Sequence, residues 1–131
     1  MSDPRVLILL EGHTRVFRPG EILTAECRVE SLSVAVPKAI EISVLWYTEG
    51  KGDEDLAVHY FNRVPGDEAA LTDLRRPYRF QTRLPNSPLS YEGRIVKIHW
   101  CVRVRLFLER GREIVSEQPF WLGDVPPVAP T

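Results

Sequence analysis

The chain is short of cysteine and histidine, carries no charge excess of either sign and has no long apolar run. Each shortage removes a class of protein. Its 131 residues hold two cysteines and three histidines, and His13, His59 and His99 stand far apart, without the spacing of metal ligands. A formal charge of −1 speaks against a nucleic-acid binder that works through bulk electrostatics. No apolar stretch approaches the ~20 residues needed to span a bilayer as a helix. The N-terminal run from Val6 to Leu10 has an acid before it and no basic leader. It is also short beside the about 7–15 apolar residues of a signal-peptide core. These shortages predict a cytoplasmic protein with no transmembrane segment, no nucleic-acid partner, no cofactor and no metal.

Local catalytic motifs are missing too. Gly50-Lys51-Gly52 is not a phosphate loop, because the glycine spacing before it is wrong and no Ser or Thr follows the lysine. Asp53-Glu54-Asp55 lacks the alternating ligands and final glutamate of a calcium loop. Ser87 and Ser90 sit in a proline turn with no glycine elbow or local histidine. The expectation is a protein that is not an enzyme, with no catalytic residues. A small-ligand carrier or an enzyme with a site built from distant loops is the competing class, since triads show that such residues need not be neighbours in sequence.

What is present is alternation. Val96, Ile98, Trp100, Val102, Val104, Leu106 and Leu108 occupy alternate positions within residues 94–109, with Lys97, His99, Arg103 and Arg105 between them. A period of two marks a strand with one dry face. At about 3.3 Å per residue this strand reaches roughly 40 Å, so it must bend, bulge or outrun its sheet. Residues 5–10, 22–30, 40–46, 78–84 and 113–120 also read as strands. In 56–63, Leu56, Val58 and Tyr60 alternate with Ala57, His59 and Phe61, and both faces carry large side chains. Residues 65–77 hold the one candidate helical turn, too short to stand alone. Regular strands separated by turn signals predict an all-β, antiparallel sandwich of seven to eight strands. One domain spans 1–122, and 123–131 is a Pro-rich C-terminal tail.

The order Cys27, Trp46, Cys101 mimics an immunoglobulin domain. The parity disagrees. Cys27 falls in line with Leu23, Ala25 and Val29, whereas Cys101 alternates with Trp100 and Val102 and so points off the dry face. A bridge needs both sulfurs together, so two free thiols are expected.

Two motifs add a resemblance. The first is Arg18-Pro19-Gly20-Glu21 followed by Leu23 and Ala25. The second is Leu84-Pro85, Pro88, Ser90-Tyr91-Glu92-Gly93 and Ile98-His99-Trp100-Cys101-Val102. In this order and spacing, over residues 5–122, the chain resembles the N-terminal domain of arrestin-like proteins, closest in style to single-domain bacterial members. The resemblance implies an immunoglobulin-like sandwich used as a scaffold for protein contacts. Arrestins proper carry two such domains and sense phosphates between them, so that property does not transfer to one domain.

Two surface features bear on a partner. Lys97, His99, Arg103 and Arg105 share the off-core side of the long strand and could form an anionic-partner patch. They could equally be a solvated face, neutralised by Glu41, Glu113 and Glu117 on neighbouring strands. Leu45, Tyr47, Cys101 and Phe107 also fall off-core. If their strands pair, these four make an apolar patch covered by a loop, by the tail or by another protein. The expected function is a non-catalytic protein-interaction or scaffold module, with a protein partner or a homo-oligomer.

Overall fold

A computed structural model describes residues 4–30, 37–52, 54–65 and 77–123. Its strands are β1 (Arg5–Leu10), β2 (Val16–Phe17), β3 (Ile22–Glu30), β4 (Ala39–Gly50), β5 (Leu56–Pro65), β6 (Tyr78–Arg83), β7 (Tyr91–Glu92), β8 (Val96–Phe107) and β9 (Glu113–Leu122). The two-residue strands β2 and β7 are too short to leave an alternation, which is why they exceed the expected count. The expected helical turn at 65–77 and the tail beyond Gly123 lie almost wholly outside the described residues.

Two sheets face each other. The smaller runs β1-β3-β6, and the larger runs β2-β9-β8-β4-β5 with β7 beside β8. All pairings are antiparallel except β2 with β9, which is parallel. The long strand β8 does not outrun its sheet, because it has partners of matching length. The twelve residues of β4 pair along its whole length, and β9 and β7 share its other side in relay. Arg110 and Gly111, at φ 62° and 71°, reverse the chain into β9.

In β3, β4 and β8 the dry faces are the ones the alternation marks. Leu23, Ala25, Cys27 and Val29 from β3 meet Ile40, Ile42 and Val44 from β4 and Trp100, Val102, Val104 and Leu106 from β8. Trp100 is 1% exposed, and its indole N–H donates to the Pro88 carbonyl at 2.8 Å. Phe120 lies 5.8 Å from it, and Phe80 stacks on Tyr60 at 5.3 Å. Both thiols are free. Cys27 belongs to the core, whereas Cys101 is buried on the other side of β8.

The motifs behind the family resemblance meet in space. Gly20, at φ 83°, closes the Arg18–Glu21 turn, where the Glu21 N–H donates to the Arg18 carbonyl. Gly20 N–H then donates to Leu84 O at 3.1 Å, and Leu84 N–H to Glu21 O at 2.8 Å. Ser90 reaches out of its turn to another strand. Its hydroxyl accepts from Leu122 N–H at 2.8 Å while its N–H donates to Leu122 O at 2.7 Å, tying the loop to the end of β9. Gly93 is required because a Cβ would stand 2.4 Å from the Tyr91 ring and 2.8 Å from Val96 O.

Candidate interaction surface

The outer face of the larger sheet carries the candidate residues, and strand register decides which of them meet. Leu45 on β4 pairs with Cys101 on β8, and Tyr47 with His99 one step along. Phe107 pairs with Ala39 at the far end of β8, about 20 Å from Cys101 at about 3.3 Å per residue. Three of the four expected patch residues are therefore neighbours and the fourth is apart. They are also unequal in exposure. Leu45 is 2% and Cys101 3% exposed, while Tyr47 and Phe107 are half-buried. Phe107 is flanked by the guanidiniums of Arg63 and Arg105, 5.1 and 5.3 Å from its ring centre, a cation–π arrangement.

Burial pushes the Cys101 thiol up to about 12, with the nearby Glu117 carboxylate adding to the effect. Burial, then Cys101 and Glu117, raises the Tyr47 phenol from its ordinary value. Both groups therefore stay neutral across the physiological range.

The basic row is matched by acids from the strands on either side. Arg103 meets Glu117 at 2.6 Å, and Arg105 meets Glu113 at 2.6 Å and Glu41 at 3.8 Å. Arg63 from β5 also pairs with Glu41. His99 shares a 2.6 Å contact with Glu49, and register sets Lys97 between Glu49 and Glu92. Cross-strand neighbours carry opposite signs because register places Glu41, Glu113 and Glu117 beside the arginines. The arginine pairing holds the Glu113 carboxyl below its ordinary value. On the smaller sheet, Arg79 pairs with Glu11 at 2.6 Å and Arg83 donates to Gly20 O at 2.8 Å.

The sequence reading missed the most exposed part of this face. Leu56, Val58 and Phe61 on β5 are 54%, 49% and 54% exposed. Their outward alignment follows from a register shift between Val44 and Leu45, where Val44 pairs with Tyr60 but Leu45 with Val58. His59 is the extra residue of a β-bulge, so parity changes there. Strict alternation had grouped Leu56 and Val58 with Tyr60, and the bulge groups them with Phe61 instead. Tyr60 turns inward against Phe80, and the His59 imidazole reaches the Arg83 carbonyl of the other sheet at 2.7 Å. The signal available was that both faces of 56–63 carry large side chains, so alternation alone names no dry face there.

A small-molecule site would need a cavity with convergent polar groups. Where β9 and β7 part along β8, a cleft of about 280 Å³ is lined by Arg15, Tyr91, Glu92, His99 and Trp121 among others. Cavities of about 320 and 360 Å³ flank the end of β1. In the cleft the Ser90 hydroxyl is engaged by Leu122, and His99 faces Glu49. Among the described residues no cluster of three His, Cys, Asp or Glu side chains could hold a metal. Among them, too, every buried side-chain polar atom has a partner.

No protein-family model matches this chain, and no curated protein does. Among solved structures, Spo0M, a sporulation control protein from Bacillus subtilis, matches with a TM-score of 0.68 and 17% sequence identity. The match covers 95% of this chain and 51% of that one, so this chain spans about half the length of Spo0M. At that identity the likeness is one of fold: an all-β, arrestin-like sandwich. Among the described residues no helix is long and apolar enough to cross a membrane.

Proposed function

We propose that this chain is a non-catalytic protein-interaction module, a bacterial arrestin-fold domain of the cytoplasm that binds protein through the outer face of its larger sheet. One observation carries the reading. Leu56, Val58 and Phe61 stand about half exposed in a row on an edge strand, next to the half-buried Tyr47. Single exposed apolar side chains are ordinary, but an aligned set marks a contact surface. The neighbouring part of the face suits the role, because Arg103 and Arg105 are already paired with Glu117 and Glu113, which lowers the cost of covering them. The match to Spo0M supports a scaffold of this shape, and fold alone assigns no activity.

The test is a pull-down from native cell extract with the wild-type chain and Val58→Glu, with thermal melts confirming that both are folded. A retained protein that is lost with Val58→Glu supports the reading. Equal retention by both proteins overturns this face as the binding surface.

A further inference from the structure

We infer that the occupant of the β5 row is a second copy of this chain, laid antiparallel across the first; this rests on reading that face as an interaction surface. The argument is charge complementarity. The strand has an acidic end and a basic end: Glu54 lies two residues before Leu56, and Arg63 lies two residues after Phe61. Consider a twofold axis in the plane between the two copies that crosses the row at Val58, because the bulge takes His59 out of it. Phe61 of one copy then meets Leu56 of the other, and Arg63 meets Glu54. A twofold contact is self-complementary, so each pairing occurs twice. A parallel arrangement would set like charges together at both ends.

The contact is face to face. The bulge at His59 and Pro65 at the strand's end both obstruct a partner strand on the free edge. Arg63 is held along the face by Glu41 and by the Phe107 ring. Glu54 has no such anchor among the described ion pairs, and a net charge of −1 gives the copies little long-range repulsion. The footprint is small. Two strands about 4.8 Å apart and about eight residues long cover roughly 250 Å², against ~800 Å² per partner in a stable complex. The dimer is accordingly weak and concentration-dependent.

Sedimentation velocity of the full chain from about 10 µM to about 1 mM tests this, since a contact that small associates only toward the upper limit. The variants are Arg63→Glu, Glu54→Arg and the two together. The wild type should dimerise, and each single reversal should weaken the dimer about tenfold, because every substitution counts twice across the axis. The double reversal should restore it. A wild-type dimer insensitive to the single reversals, or not restored by the double, overturns the inference. So does a wild type that stays monomeric throughout. In that last case, an extract protein lost with Val58→Glu would leave the reading of the face standing and assign it to another partner.

Discussion

At the scale of residues, Trp100 and the two cysteines show how position along a strand sets chemistry. Trp100 fills the space between the sheets and satisfies the Pro88 carbonyl. Trp100→Ala should cost about 3–5 kcal/mol in denaturant unfolding, and a loss under about 1 kcal/mol would contradict its placement in the core. The cysteines lie on opposite faces of different sheets, so no bridge forms. Thiol titration should count two free thiols in denaturant and almost none reacting quickly in the native protein. Burial raises the Cys27 thiol from 9.0 to about 12. The folded state thus favours the protonated form, and that contribution is complete below pH 9 and is lost as pH rises toward about 12. The stability advantage of the wild type over Cys27→Ala should therefore narrow over that window. An advantage that stays constant there would show that Cys27 ionises freely in the fold.

At the scale of elements, turns and one bulge settle what alternation leaves open. Gly50, at φ 140°, ends β4 where an added Cβ would stand 2.1 Å from the Ile95 carbonyl oxygen. Gly50→Ala should cost about 1–3 kcal/mol, measured by chemical denaturation. Ser90→Ala should cost about 1–3 kcal/mol, because it leaves the Leu122 N–H without its acceptor in a buried setting. It should also speed amide exchange at Leu122 more than at β8, whereas equal protection would mean the loop does not hold the strand. The His59 bulge has the larger consequence. It turns Tyr60 into the core and leaves Phe61 on the outer row with Leu56 and Val58.

At the scale of the whole molecule, three of the seven pairings among the described strands join strands distant in sequence: β3 with β6, β4 with β8, and β2 with β9. Such topology requires long loops to close before contacts are gained. Refolding should therefore take milliseconds to seconds, as is typical of β-sandwiches, rather than the microseconds of small helical bundles. Stopped-flow tryptophan fluorescence would decide, since Trp100 is buried only when the sheets meet.

The sequence by itself determined the strands of the core, their dry faces and the absence of a disulfide. Side-chain direction along a strand has a period of two, and that information is local. It also indicated which acids would offset Arg103 and Arg105, because their alternation places them on the outer faces of flanking strands. Only the tertiary structure decided the register. Register separated Phe107 from Leu45, Tyr47 and Cys101, buried Leu45 and Cys101, and brought Leu56, Val58 and Phe61 into one exposed row. One extra residue in β5 shifts every later side chain to the opposite face. Its position is set by pairing with β4 and by the reach of His59 to the opposite sheet, and no local pattern encodes either contact.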